Sequence, residues 1–177
     1  MRYVALLRGI NVGGKNLISM PALKASFEDL GFTNVSTYIQ SGNVLFDGTG
    51  KASDLTRRIE AAISKAFGVE IAVVLRSRKQ MAKIVTSAPK GFGSDPVTFR
   101  YDVTFLKEPL RATAALTSLS LKEGVDLAWP GPGVLYTSRL AAKATQSRLG
   151  RIVGTPIYKQ MTIRNWNTTT KLRALLG

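Results

Sequence analysis

The chain has 177 residues, 45% of them apolar and 20% charged, the balance of a soluble globular protein of one domain or two small ones. With no cysteine and no histidine, it can have no thiol nucleophile, imidazole acid–base pair, Ser-His-Asp triad, disulfide or Cys/His zinc site. The 25 Lys+Arg against 11 Asp+Glu leave a net charge of +14, a field that attracts polyanions.

Tyr3 to Leu7 is almost wholly apolar and is expected to form a strand buried on both faces. A glycine-rich loop follows. Ser19 is then expected to cap a helix that has Pro21 in its first turn, carries Met20, Leu23, Phe27 and Leu30 at helical spacing, and stops at Gly31. Val35–Gln40 and Val44–Phe46 are predicted strands joined through Ser41-Gly42-Asn43. Leu55, Ile59, Ile63 and Phe67 predict a second helix, capped by Ser53 and ended by Gly68. Ile71 to Leu75 predicts another strand, and Ser77 a cap for a short helix with Met81, Ile84 and Val85.

Strand, helix, strand, strand, helix, strand is the order of a ferredoxin-like βαββαβ α/β plait. After the loop Pro89–Pro96 a second pass begins. It has a strand at Tyr101, Val103 and Phe105, a helix over 110–119, and a hairpin of Val125–Trp129 with Val134–Thr137. Helical segments are expected at Gln146–Val153 and Thr162–Leu176. The fold class is therefore α+β, with a ferredoxin-like subdomain and its connecting helix at 1–88. A second, α/β-plait-like subdomain with C-terminal helices follows at 97–177, closing on a helix where a fourth strand would stand. Because a sheet with one wet face should alternate, the unbroken runs Val4–Leu7 and Ile71–Leu75 predict that the second half, or a second copy, covers part of the first sheet.

Gly9 to Lys15 fits the first seven positions of the phosphate-loop pattern, but Asn16 stands where a magnesium-binding hydroxyl is needed. The helix also starts too late, and a hairpin replaces the parallel crossover, so nucleotide hydrolysis is disfavoured. A simpler expectation remains. Strands one and three of this topology are antiparallel neighbours, which gathers Arg8, Asn11, Gly13, Gly14, Lys15, Asn16, Gln40, Ser41 and Asn43 at one end of the sheet. Backbone N–H groups and two cations there would suit an anion. Against this stands the ordinary use of Gly and Asn in tight turns, with amides satisfying loop backbone. A second candidate is the basic C-terminal third, which has no acid after Asp126 and includes Arg148, Arg151, Lys159, Arg164 and Lys171. Arg164, Asn167 and Lys171 would share a helix face, more readily solvated or docked than binding phosphate.

Leu6-Leu7-Arg8-Gly9-Ile10-Asn11-Val12-Gly13-Gly14-Lys15-Asn16 and Thr37-Tyr38-Ile39-Gln40-Ser41-Gly42-Asn43-Val44 resemble the hallmark of a bacterial domain-of-unknown-function family, number 1697. Val103-Thr104-Phe105-Leu106, Thr162-Ile163-Arg164-Asn165-Trp166-Asn167-Thr168 and Lys171-Leu172 are similar to its later motifs. The resemblance implies two α/β-plait subdomains and supplies no function. Arg151–Met161 departs from the family pattern, where a more acidic, helical stretch is expected.

Three function classes stay open. The first is a binding module for nucleic acid or a phosphorylated small molecule. The second is an enzyme working without His or Cys, with Lys15, Ser41 or Tyr38 in a polar role, although no base beside a nucleophile is visible. The third is an interaction protein such as a homodimer. The reading leans to the binder. It expects no catalytic residue, metal or cofactor, no membrane partner, and a cytoplasmic location.

Overall fold

The computed structural model describes all of residues 1–177. By its contacts the chain divides into two units, Met1–Met81 with Leu172–Gly177, and Ala82–Lys171. The dividing point falls inside a helix, ahead of the loop at 89–96.

The first unit holds β1 (Arg2–Leu7), α1 (Met20–Glu28), β2 (Thr33–Tyr38), β3 (Asn43–Asp47), α2 (Ala52–Phe67) and β4 (Val73–Ser77). Its sheet runs β2-β3-β1-β4 with every neighbour antiparallel, which is the ferredoxin-like plait. Local chemistry sets the boundaries. Ser19 Oγ accepts from the Ala22 N–H at 3.2 Å, satisfying one open donor of α1. The α2 stripe Leu55, Ile59 and Ile63 is buried, and Gly68 ends the helix at φ +66°. One expectation fails here: Ser53 is not the cap, since α2 starts at Ala52 behind Lys51 with no side-chain cap.

Tyr3, Ala5 and Leu7 face the helices and share a core with Leu23, Phe27, Phe46, Leu55, Ile59 and Ile63. On the opposite face Val4 and Leu6 are fully buried as well, as their unbroken apolar run requires.

A further helix, α3 (Arg78–Thr86), begins in the first unit and ends in the second. The second unit continues with β5 (Phe99–Leu106), α4 (Ala112–Thr117), β6 (Asp126–Gly131) and β7 (Val134–Leu140). Three short 3-10 helices follow at Ala141–Gln146, Leu149–Gly154 and Pro156–Gln160, then β8 (Met161–Asn165) and α5 (Trp166–Leu175). Two expectations are corrected. The single helix near 146–153 is replaced by the 3-10 turns, and the helix expected from Thr162 is a strand as far as Asn165. β8 supplies the fourth strand that the sequence was read as lacking. It pairs antiparallel with Asp102–Leu106, giving a sheet of order β6-β7-β5-β8. The helix reading fails because its stripe mixes environments: Ile163 is exposed whereas Thr162 and Arg164 are buried.

The two plaits repeat each other in register. Leu7 N–H donates to Gly42 O at 2.8 Å, and Leu106 N–H to Gly133 O at 3.1 Å. Arg8 N–H donates to Ala72 O at 3.0 Å, and Lys107 N–H to Gln160 O at 2.8 Å. Val4 stands opposite Arg76 as Val103 stands opposite Arg164. Each plait then leads into a capped helix. Ser77 and Gln80 form a reciprocal capping box at the start of α3, and Asn165 Oδ1 accepts from Thr168 N–H at 2.7 Å at the start of α5. The repeat is broken in one place, where the sixteen-residue α2 has only the 3-10 turns as its counterpart.

Candidate functional site

The two glycine-containing turns of the first unit meet. Asn11 joins them: its Nδ2 donates to Ile18 O and to Gln40 O, each at 2.9 Å, and its Oδ1 accepts from Ile18 N–H at 2.8 Å. Asn16 Nδ2 reaches back to Gly9 O at 3.0 Å. The buried Asn43 donates to Tyr38 O at 2.9 Å and to Ser41 Oγ at 3.2 Å. These three amides hold backbone in place and form the frame of the site.

Between them the chain makes a miniature hairpin. Asn11 N–H donates to Asn16 O at 3.2 Å, and Lys15 N–H to Val12 O at 3.1 Å. Gly13 and Gly14 at its tip have φ of +58° and +73°, the pair of left-handed residues that a type I′ turn demands. This is not a phosphate loop, because α1 opens only at Met20. Lys15, Gly13, Gly14 and Gln40 are exposed, while Arg8 and Ser41 are half-buried. No acidic residue lies in 1–27 or 30–46. Glu60 of α2, however, accepts from Val73 N–H at 2.8 Å, beside the Ala72 carbonyl to which Arg8 N–H donates. An acid thus borders the Arg8 end of the tip, and Lys15 is its exposed cation.

The sequence reading missed three members of this surface. Val12, Leu17 and Ile39 are 62%, 75% and 47% exposed, and each is the chain neighbour of a residue in the Asn11 junction. Ile39 moreover has φ +51°, a conformation that costs a β-branched residue dearly. No sequence signal marks it, since Ile39 simply reads as a strand residue.

Residues 1–136 match the family described as Protein of unknown function (DUF1697). The chain belongs to this family. A solved structure of a conserved bacterial protein, SP0830 from Streptococcus pneumoniae, is similar at 27% identity and a TM-score of 0.86. The match covers 99% of this chain and 98% of that one. No curated protein matches. The two DUF1697 phrases at Leu6–Asn16 and Thr37–Val44 thus coincide with the two joined turns, and Val103–Leu106 is the buried half of β5. The phrase Thr162–Thr168 lies beyond the matched residues and forms the junction of β8 with α5.

Of the basic C-terminal set, Arg151, Lys159 and Lys171 are exposed and Arg148 is half-buried. Arg164 is not a surface residue, which corrects that expectation. It is a buried strand residue donating to Thr162 Oγ1 and Ile163 O, each at 2.8 Å, and burial pushes its guanidinium down to about 10. Nor does it share a helix face with Asn167 and Lys171, since the helix starts after it.

No helix is long and apolar enough to cross a membrane. No group of three His, Cys, Asp or Glu side chains is placed to hold a metal ion.

Proposed function

We propose that this DUF1697 protein is a binding module for a phosphate-bearing polymer, nucleic acid being the occupant, engaged through the joined turns of the first unit. The observation that supports this reading is the Asn11 junction. It fixes two turns as one platform with Lys15 exposed at its tip, so the ordering cost of binding is reduced. The tip of the platform at Gly13, Gly14, Lys15 and Gln40 is exposed, which suits an extended polyanion better than a small molecule needing enclosure. Val12, Leu17 and Ile39 add aliphatic contact for sugars or base edges. With +14 to dispose of, phosphate contacts release counterions and carry the affinity.

The test is fluorescence anisotropy with short single- and double-stranded oligonucleotides over a salt series. Log affinity should fall linearly with log salt, and the variant Lys15→Ala should flatten the slope by about 1. Absence of binding at low salt would remove the reading. Binding lost only in the triple variant Arg151→Ala, Lys159→Ala, Lys171→Ala would move the site to the second unit. Concentration-dependent dimerisation suppressed by Leu17→Asp, with no oligonucleotide bound, would favour the interaction-protein reading.

A further inference from the structure

The second unit repeats the first but changes one pair of residues that the first uses for its core. In the first unit Tyr3 stands opposite Phe46, and the two buried rings stack at 5.7 Å. The same register positions in the second unit are Asp102 and Thr137. With α2 replaced by 3-10 turns, these two positions carry a carboxylate and a hydroxyl instead of stacked rings.

Asp102 Oδ2 lies 3.7 Å from Arg139 Nη2, close enough to attract but too far to hydrogen-bond. Arg139 Nε is buried with no hydrogen-bond partner, as is Oδ1 of Asp126, which stands opposite it on β6 and also draws on its charge. Such unpaired atoms are unusual in a native fold. Burial pushes the Asp102 carboxyl up, while Arg139 pulls it down, so the acid would gain from a nearby cation. Both side chains line a cleft of about 190 Å³, together with Arg100, Tyr101, Asn165 and Trp166. Its aromatic wall is braced from behind. Phe92 packs edge-on against Tyr101 at 4.9 Å and against Trp166 at 5.1 Å. Gly93 is required there, because at φ +82° a Cβ would lie 2.2 Å from the Trp166 ring.

We propose that this cleft binds a small zwitterion, a free α-amino acid with an apolar side chain. Its carboxylate pairs with the Arg139 guanidinium, its ammonium pairs with Asp102, and its side chain lies along Tyr101 and Trp166. Charge balance selects this class. A phosphate would satisfy Arg139 but repel Asp102, and a plain amine would satisfy Asp102 but oppose Arg139 and Arg100. A zwitterion lying over the pair presents an opposite charge to each ion and adds no net charge. The cleft is also smaller than the sites that enclose drug-sized ligands, which suits a compact metabolite. The inference is independent of the polyanion platform.

Titration calorimetry with L-phenylalanine tests it, with phenethylamine and 3-phenylpropionate as the two half-charged analogues. L-phenylalanine should bind at least about tenfold more tightly than either. Asp102→Asn should weaken L-phenylalanine about tenfold or more and leave 3-phenylpropionate unchanged. Arg139→Gln should weaken L-phenylalanine and 3-phenylpropionate, and not phenethylamine. Should a variant fail to fold, the wild-type protein still decides: L-phenylalanine should shift the indole N–H resonance of Trp166 and leave that of Trp129 unmoved. No shift at about 10 mM, or equal binding of either analogue, would overturn the proposal.

Discussion

Asn11 shows how one side chain can set the geometry of a surface. With φ +53° and three hydrogen bonds, it joins two turns that the chain itself separates by some thirty residues. Asn11→Ala removes all three bonds and places a Cβ-only residue in left-handed backbone, so we expect a loss of about 2–3 kcal/mol in urea denaturation with an unchanged m-value. An unaltered midpoint would mean that the turns are held together by other contacts. Much at this scale was legible in the sequence. Gly42 and the asparagines announced tight turns, and adjacency of strands one and three put the turns side by side. Asp102, Arg139 and Asn165 announced nothing, because strand pairing alone brings residues from three distant segments to one cleft.

Among the elements, strands and helices with strong periodicity were legible and the weakly patterned stretch after β7 was not. β8, reading Met-Thr-Ile-Arg-Asn, alternates against its burial, because Thr162 and Arg164 are buried while Ile163 is exposed. Its identity is decided by a partner, β5, that lies far away in sequence. Tyr136 illustrates a tie between elements: its hydroxyl donates to Ile84 O of α3 at 2.6 Å, and burial pushes the phenol up from 10.0 to about 12. Tyr136→Phe leaves that carbonyl unsatisfied and should cost about 1–2 kcal/mol near neutral pH. The sign at alkaline pH follows from linkage. The folded state keeps the phenol proton that the unfolded chain releases, so this contribution is complete below pH 10 and is lost as pH rises to about 12. Urea midpoints at pH 9 to 12 should therefore converge for the wild type and Tyr136→Phe, about the values at which the phenol titrates. Parallel curves would show that the hydroxyl does not ionise in this interval.

For the molecule as a whole the dominant quantity is its net charge. With 11 acids for 25 bases, most cations must lie without an acidic partner, and their mutual repulsion opposes compactness. Melting temperature should accordingly rise as sodium chloride is raised from about 0.02 to about 0.5 M, since screening weakens that repulsion. A flat response in thermal scans would show that the charge is spread too thinly to matter. The plait class and the presence of two related subdomains were legible at this scale. The membership of α3 and α5 was not, because each helix starts in one unit and ends in the other, and no local residue pattern records that.

The composition of the first unit bears on how it can come into being. It counts Leu172–Gly177 among its own residues, and Leu172 and Leu176 are buried. A ribosome makes those residues after everything else described in this chain. β1 to β4 can pair earlier, but the unit stays unfinished until that last segment has left the exit tunnel. Its completion therefore waits until the whole of 82–171 has been synthesised, and over that interval a chaperone would find its apolar surface still open.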